Sequence, residues 1–96
     1  VHPALLPSFP GIHAVADALA AGVKVTGVTV HLVDAGVDTG PIVLQEAIAI
    51  RPDDDWDSLE VRVHEVEHRQ LPRAVRALLE DRLRIHDRIV QIEEDP

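Results

Sequence analysis

The sequence contains no cysteine, methionine or tyrosine, and its phenylalanine and tryptophan content is limited to Phe9 and Trp56. Without cysteine, the chain can form neither a disulfide framework nor a thiolate metal site. Because aromatic residues are so few, the 46% of residues that are hydrophobic must build a core from valine, isoleucine, leucine and alanine. No apolar run approaches the roughly 20 residues of a membrane-spanning helix, so we predict that the protein has no membrane partner.

Basic residues are also scarce. The 96-residue chain has 9 Lys and Arg against 17 Asp and Glu, which gives a formal net charge of −8. Proteins that bind nucleic acids recruit lysine and arginine to the phosphate backbone, and we therefore predict no nucleic-acid partner. An acidic chain still binds small anions through local sites, so the charge does not exclude a phosphorylated metabolite.

The first residues of the sequence are dense in specific features. Val1, His2 and Pro3 open the chain without an initiator methionine, although protein termini are usually loose and polar. A length of 96 residues suits one domain or one half of a larger domain. We therefore interpret residues 1–96 as the C-terminal part of a longer catalytic domain.

Hydrophobic periodicity predicts an α/β arrangement of a loop, a helix, a β-hairpin, a long helix and a terminal strand or hairpin. β-branched residues favour the two strands of the first hairpin, and Asp55 is the expected N-cap of the long helix. The expected ranges are a loop at 3–10, a helix at 11–21, strands at 24–33 and 41–50 around a loop at 34–40, a helix at 56–80, a strand or hairpin at 84–92 and a solvated tail at 93–96.

The long helix carries two features that bear on its packing. Pro72 removes a backbone donor inside the helix, so we expect a kink or a break there. An apolar stripe is expected to face the core, and its members are Leu59, Val63, Val66, Leu71, Val75, Leu78 and Leu79.

A histidine and an aspartate on separate loops could form a charge-assisted pair. His2 lies in the first loop, and Asp38 lies in the loop between the two predicted strands. A neighbouring carboxylate stabilises an imidazolium ion, and such a pair can transfer protons or stabilise an oxyanion during acyl transfer. From these two residues alone, a surface histidine and an unrelated turn aspartate remain an open alternative.

The sequence around both residues resembles the folate-dependent formyltransferases. In that family, a strand ends in Asn-x-His-Pro-Ser/Ala-Leu-Leu-Pro, and a later loop carries the aspartate of Asp-x-Gly-Pro-Ile. The matching segments here are His2-Pro3-Ala4-Leu5-Leu6-Pro7, Gly27-Val28-Thr29-Val30-His31 and Asp38-Thr39-Gly40-Pro41-Ile42. The family branch that acts on glycinamide ribonucleotide is the one most similar at Phe9-Pro10-Gly11-Ile12-His13. Methionyl-tRNA formyltransferases have Arg-Gly-Ala in that region, and the deformylases have Phe-Ile-Gly-Ala-Lys.

The resemblance extends from Val1 to about Ile92, and it implies the C-terminal half of a formyltransferase-type Rossmann-like fold. The N-terminal nucleotide-binding half would be absent from residues 1–96. The implied reaction transfers a formyl group from 10-formyltetrahydrofolate to the amine of glycinamide ribonucleotide in de novo purine biosynthesis, in the cytoplasm and without a metal. We expect the 96-residue chain alone to be inactive, and to associate with itself or with the missing half through exposed apolar surface.

The functional residues of the family carry over onto matching positions of this sequence. His2, in its protonated form, would stabilise the oxygen of a tetrahedral intermediate and shuttle protons, while Asp38 would hold His2 in place. The loop facing the folate would comprise Asp34, Ala35, Gly36, Val37 and Asp38, and the ribonucleotide would be bound by His64 and Glu67. The roles of His13 and His31 stay open between site residues and ordinary structural histidines.

A competing interpretation comes from His64-Glu65-Val66-Glu67-His68, which matches His-Glu-x-x-His on a predicted helix. In zinc proteases, the two histidines of this motif bind Zn²⁺ and the glutamate activates water. Glu80, His86 or Glu93 would have to supply a third ligand. The helix is rich in charge throughout, which favours a solvated face with fortuitous spacing over a zinc-dependent hydrolase. A non-catalytic fragment is a third hypothesis.

Overall fold

The computed structural model describes residues 1–94, which form a four-stranded sheet with two helices. The strands lie in the order β1-β2-β4-β3, so the predicted α/β class is confirmed. The terminal segment proves to be a hairpin of two short strands. The elements in chain order are α1 (Ala14–Ala21), β1 (Val25–His31), β2 (Ile42–Ala49), α2 (Trp56–Leu79), β3 (Leu83–His86) and β4 (Ile89–Ile92).

The predicted β-hairpin is confirmed. β1 and β2 pair antiparallel from Val25 opposite Ala49 to His31 opposite Ile42, with an irregularity just before His31. Both strands are shorter than expected, because the chain leaves the sheet after His31 and rejoins it only at Ile42. The ten intervening positions include the loop that carries Asp38, and this loop therefore projects beyond one end of the hairpin.

The terminal hairpin packs against that same end of the sheet. β4 joins β2 in parallel through the pair Ile42 and Ile89, and it pairs antiparallel with β3. Arg88, in the turn between β3 and β4, donates a hydrogen bond to the backbone oxygen of Thr39. The C-terminal strands thus cover one side of the loop before β2.

α2 begins at the predicted N-cap. The Asp55 carboxylate accepts a hydrogen bond from the Ser58 backbone nitrogen at 2.9 Å, and the Ser58 hydroxyl accepts one from the Asp55 nitrogen at 3.1 Å. This reciprocal pair satisfies donors that a helix start otherwise leaves free. Arg62 then bridges Asp54 and the backbone oxygen of Ala49, which ties the first turns of α2 to the end of β2.

The core lies between α2 and the β1–β2 hairpin. Its main cluster comprises Val15, Val28, Ile48, Leu59, Val63 and Val66, and a second cluster comprises Val30, Val43 and Ala74. Neither cluster contains an aromatic side chain, as the composition predicted. Together, the two clusters pack one face of α2 against the hairpin along most of the length of the helix.

Of the kink or break expected at Pro72, the break was wrong, because α2 continues through Pro72 to Leu79. A proline inside a helix removes one backbone hydrogen bond and costs about 3 kcal/mol. The helix is anchored by buried residues on both sides of this position, with Val66 before it and Ala74 and Ala77 after it. Packing of both halves against the same sheet outweighs the local cost.

The predicted apolar stripe was wrong in its second half. Leu59, Val63 and Val66 are buried as expected, but Leu71, Val75, Leu78 and Leu79 are 38%, 43%, 56% and 80% exposed, and the buried residues there are Ala74 and Ala77. A five-residue step from Val66 to Leu71 rotates the stripe by roughly 140° beyond a full turn. Because the helix is regular, the residues that stay on the same side as Val66 are Ala74 and Ala77, and these small side chains face the sheet.

The remaining differences concern element ends. α1 begins at Ala14 rather than Gly11, because Gly11 takes a left-handed φ of 94° and His13 occupies the N-cap position. The chain turns at Gly22 with a left-handed φ of 71°, as a residue after a helix often does. In the predicted tail, Glu93 and Glu94 are exposed and residues 95–96 lie outside the described residues. Neither helix within residues 1–94 is long and apolar enough to cross a membrane.

Candidate active site

The segment that carries His2 is fastened to the edge of β1. His2 exchanges two backbone hydrogen bonds with Thr29, at 2.7 and 2.8 Å. The buried Thr29 hydroxyl donates to the Ala4 oxygen at 2.6 Å and accepts from the Leu6 nitrogen at 3.1 Å. The Gln45 amide of β2 donates to the Leu6 oxygen at 2.8 Å and to the Thr29 hydroxyl at 3.0 Å. These bonds fix the position of the His2 backbone.

Gly27 allows this segment to lie close to β1. A Cβ atom at Gly27 would stand 2.2 Å from the Glu46 backbone oxygen and 2.5 Å from Cδ2 of Leu5. Both distances are far below van der Waals contact, so only glycine fits here without movement of the neighbours. The Gly-x-Thr-Val-His pattern of the strand thus serves the placement of the loop before it.

The loop between β1 and β2 is held by its own side chains. The Asp34 carboxylate accepts hydrogen bonds from the Thr39 hydroxyl at 2.6 Å and the Gly36 nitrogen at 2.9 Å. These hydrogen bonds, with Thr39 as the larger cause, lower the pKa of Asp34 below its usual value. Gly40 is required because a Cβ there would lie 1.6 Å from the Leu32 oxygen. Asp38 takes a left-handed φ of 55°, which aspartate tolerates better than most residues.

Asp38 stands between two imidazole rings. Its Oδ2 lies 3.4 Å from Nδ1 of His2, and its Oδ1 lies 3.5 Å from Nε2 of His31. The Gly11 backbone nitrogen also donates to Oδ2 at 2.9 Å. The pKa of Asp38 is lowered first by this backbone hydrogen bond and then by the two rings. The side chains of His2 and Asp38 are only 5% and 20% exposed, so the two predicted residues meet in a largely buried cluster.

Backbone carbonyls orient both rings. Nε2 of His2 lies 2.7 Å from the Phe9 oxygen, and Nδ1 of His31 lies 2.9 Å from the Leu32 oxygen. A carbonyl only accepts, so each of these ring nitrogens carries a proton, and each ring turns its other nitrogen towards Asp38. An imidazolium at His2 would satisfy both of its neighbours, because carbonyl and carboxylate oxygens are both acceptors.

A cleft of about 390 Å³ opens beside Asp38. Its walls are mostly apolar, with polar groups from Asp38, Thr39 and Arg88, and the apolar lining residues are Leu6, Pro7, Pro10, Val37, Gly40 and Ile42. Of the loop predicted to face the folate, Val37 and Asp38 line the cleft, while Asp34, Ala35 and Gly36 do not. No sequence motif pointed to Arg88, which reaches the cleft because β4 pairs with β2.

The predicted ribonucleotide residues lie on α2, apart from this cluster. Nε2 of His64 is 2.7 Å from Oε1 of Glu60, and the His64 ring stacks on His68 with centroids 6.2 Å apart. Glu67 is half-buried. Among residues 1–94, no hydrogen bond or ion pair joins His64 or Glu67 to His2. His13 is exposed at the start of α1 and makes no capping hydrogen bond with its side chain.

The zinc interpretation finds no set of ligands in the part of the chain that the structure describes. Within residues 1–94, no three histidine, aspartate or glutamate side chains are grouped to hold a metal ion. The His64 ring is engaged by Glu60 and lies parallel to the His68 ring rather than converging with it on a common point. The spacing of the motif is therefore better explained by a solvated helix face.

Comparison with known proteins decides the family. The family model described as formyl transferase matches residues 1–75. The chain belongs to the formyl transferase family. Two curated relatives are named phosphoribosylglycinamide formyltransferase: the Bacillus subtilis protein is 53% identical over 79 residues, and the Mycobacterium tuberculosis protein is 61% identical over 77 residues. These matches cover 82% and 80% of this chain but only 40% and 36% of the relatives.

The fold comparison agrees with the sequence comparison. The crystal structure of glycinamide ribonucleotide transformylase 1 from Symbiobacterium toebii superposes with a TM-score of 0.93 at 49% identity. The superposition covers 97% of this formyl transferase chain and 44% of the Symbiobacterium chain. The chain thus spans less than half the length of these relatives, and what it spans includes the His2 and Asp38 segments.

Proposed function

We propose that this chain is the part of a phosphoribosylglycinamide formyltransferase that carries the catalytic histidine and aspartate. The proposed reaction moves the formyl group of 10-formyltetrahydrofolate to the amine of glycinamide ribonucleotide, in the purine biosynthesis of the cytoplasm. The observation that carries the proposal is the Asp38 carboxylate between His2 and His31 at the mouth of an apolar cleft. The names of relatives that are 53% and 61% identical support the choice of substrate.

The reaction needs a proton donor at the formyl oxygen and a path for one proton from the substrate amine to the folate nitrogen. The substrate amine attacks the formyl carbon, and a tetrahedral intermediate forms with negative charge on its oxygen. The bond between that carbon and the folate nitrogen then breaks, and the proton lost by the amine ends on the folate nitrogen. A protonated His2 would donate to the oxygen and pass the proton on, which is electrostatic and general-acid catalysis.

The surroundings of His2 suggest how it would reach the substrate. Nδ1 would stay directed at Asp38, and Nε2 would exchange the Phe9 oxygen for the formyl oxygen. Phe9 holds a left-handed φ of 50°, which is an uncommon conformation for a bulky residue and stores backbone strain. A shift of the Phe9 carbonyl would relieve that strain and free Nε2. Catalytic hydrogen bonds are often long before substrate binds and tighten afterwards, which suits the 3.4 Å between His2 and Asp38.

The substrates would lie on opposite sides of this cluster. The cleft lined by Val37 and Asp38 would take the folate, whose flat ring suits apolar walls with a few polar groups. His64 and Glu67 of α2 would bind the ribonucleotide. The asparagine that precedes the histidine motif in the family, and the glycine-rich phosphate loop of its N-terminal half, would come from the polypeptide that the relatives have in addition.

The test is to join this chain to the N-terminal part of the Bacillus subtilis enzyme, up to the start of the matched region. The joined protein should produce formylated ribonucleotide and tetrahydrofolate in equal amounts, and the 96-residue chain alone should produce neither. A folded joined protein without formyl transfer would contradict the proposed function. Turnover by the 96-residue chain would contradict the expectation that this chain needs the N-terminal part.

A further inference from the structure

Arg88, in the terminal hairpin, contacts the loop that carries Asp38. We call residues 34–40 the Asp38 loop. Among residues 1–94, hydrogen bonds from two other segments reach this loop: the Gly11 nitrogen donates to Asp38, and the Arg88 guanidinium donates to the backbone oxygen of Thr39. Arg88 lies outside residues 1–75, which the family model matches. The contact therefore lies beyond the part of the chain that the family model describes.

The pairing of β2 with β4 brings Arg88 to the Asp38 loop. Ile42 of β2 pairs in parallel with Ile89 of β4, and two parallel strands begin at the same end of a sheet. Thr39 lies just before β2, and Arg88 lies directly before β4. The two residues therefore meet at that end, beside the cleft that Arg88 also lines.

The Asp38 loop needs support from outside because its own hydrogen bonds do not hold Asp38. The Asp34 carboxylate accepts from the Gly36 nitrogen and the Thr39 hydroxyl, and neither bond contacts Asp38. Asp38 has a left-handed φ of 55°, and such a backbone persists in a residue with a side chain when its surroundings hold it. Arg88 holds the carbonyl of the next residue, so it restrains the backbone on the C-terminal side of Asp38.

A guanidinium group suits this contact. Hydrogen bonds from a charged donor are stronger than those between neutral groups, and the planar guanidinium holds its donors in a fixed geometry. The positive charge of Arg88 also acts on the other end of the Asp38 loop, because it contributes to the lowered pKa of Asp34 after the hydrogen bonds from Thr39 and Gly36. Arg88 thus interacts with both ends of the loop.

We propose that Arg88 is a positioning residue, which fixes the Asp38 loop so that the Asp38 carboxylate stays against His2. Arg88 acts on Asp38 through the Thr39 carbonyl and the backbone of the loop. The terminal hairpin is then part of the apparatus that holds the catalytic pair. The effect on formyl transfer rests on the proposed function, whereas the effect on the loop does not.

Three variants separate the hydrogen bond of Arg88 from its charge. Arg88→Ala removes both, and Arg88→Lys keeps a positive charge and a donor. Arg84→Ala is the matched control, because it removes the same charge from the same hairpin. Within the described residues, the Arg84 guanidinium donates to Asp81, Leu83 and Glu93 and does not reach the Asp38 loop.

Amide hydrogen exchange in the 96-residue chain measures the position of the loop without catalysis. The Gly11 amide donates to Asp38 at 2.9 Å, so it should exchange about tenfold faster in Arg88→Ala if the loop opens more often. The Thr29 amide donates to the His2 oxygen at 2.8 Å and should keep its rate. Both amides should keep their rates in Arg84→Ala.

Kinetics of the joined protein measure the effect on the reaction. Arg88→Ala should lower kcat by about tenfold, which is the scale of one hydrogen bond from a charged group. The KM for glycinamide ribonucleotide should not change, because the proposed ribonucleotide residues His64 and Glu67 lie on α2, apart from the Asp38 loop. Arg88→Lys should restore most of kcat, and Arg84→Ala should leave kcat and KM as they are.

The outcomes separate the positioning role from the proposed function. Faster exchange at Gly11 alone in Arg88→Ala supports the positioning role, even if the unmodified joined protein transfers no formyl group, a failure that counts against the function. Equal acceleration at Gly11 and Thr29 would make Arg88 a general contributor to stability and overturn the proposal. An unchanged kcat for Arg88→Ala in an active joined protein would overturn it and leave the function standing. A loss of kcat that Arg84→Ala shares, or that Arg88→Lys does not reduce, would overturn it as well.

Discussion

Oδ2 of Asp38 lies 3.4 Å from Nδ1 of His2, and the same carboxylate lies 3.5 Å from His31 through its other oxygen. The contact joins the start of the chain to the loop between β1 and β2. It depends on backbone hydrogen bonds that hold each partner separately: Thr29 fixes the His2 segment, and Gly11 donates to Asp38. The His2 and Asp38 side chains are therefore positioned by the fold before any substrate arrives, which is how a preorganised site avoids reorganisation during reaction.

The Thr29 hydroxyl should be one of the strongest local supports of the His2 segment. Thr29→Val would leave the Ala4 oxygen and the Leu6 nitrogen without their buried partner, and an unsatisfied buried group costs about 1–3 kcal/mol. Urea unfolding should therefore show a loss of about 2 kcal/mol in the free energy of unfolding.

Thr26→Val on the same strand is the matched control. Oγ1 of Thr26 is also buried but has no hydrogen-bond partner among the described residues, so removing it should leave stability unchanged or raise it slightly. Equal losses in the two variants would show that the hydroxyl network around Thr29 is not what holds the segment.

The stability of the chain should fall in acid through Asp54. Hydrogen bonds from Arg62, then from the Arg51 backbone and Ser58, lower the pKa of Asp54 far below its usual value. A carboxyl group with a lowered folded pKa stabilises the protein above its unfolded pKa of about 4, and this stabilisation disappears as the pH falls towards the folded pKa.

Asp54→Asn should therefore melt at a lower temperature than the unmodified chain at pH 7, and the difference should shrink between pH 4 and pH 2. Asp53→Asn provides the comparison, because Asp53 is exposed and makes no hydrogen bond within the described residues. A difference in melting temperature between Asp54→Asn and the unmodified chain that stays constant down to pH 2 would contradict the role of the Asp54–Arg62 pair.

Replacing Pro72 should stabilise α2. Pro72→Ala restores a backbone donor to the His68 oxygen and removes a clash, together worth about 3 kcal/mol in a helix interior. The unfolded chain gains about 1 kcal/mol of conformational freedom at the same time. The net gain in the free energy of unfolding should be about 2 kcal/mol, measured by urea unfolding.

Arg73→Ala is the control next to Pro72, since its ion pair with Glu94 spans 3.6 Å between exposed side chains and should contribute less than about 1 kcal/mol. Unchanged stability in Pro72→Ala would mean that the helix has already relaxed around the proline.

The sequence predicted the elements that depend on neighbouring residues. The β-branched strands, the Asp55 cap and the meeting of His2 with Asp38, which was inferred from two motifs together, all appear in the structure. These features are encoded within a few residues, or within motifs that a family shares.

The features that sequence reasoning missed depend on packing between distant segments. The phase of α2 follows the sheet beneath it, so Ala74 and Ala77 are buried where leucines were expected. The arrival of Arg88 at the cleft follows from the pairing of β2 with β4. No short pattern in the sequence carries that information.

The central claim is that the carboxylate between the two imidazoles serves formyl transfer, and Asp38→Asn in the joined protein tests it most directly. The amide keeps the shape of the side chain but not its charge. Loss of acid–base support at such a position lowers rates by about 10²–10⁴, so kcat/KM should fall by about 10² or more, while Asp87→Asn should change it little. Asp87 is a suitable comparison because it has a similar left-handed φ of 54° in an exposed turn. A kcat/KM for Asp38→Asn equal to that of Asp87→Asn would contradict the account.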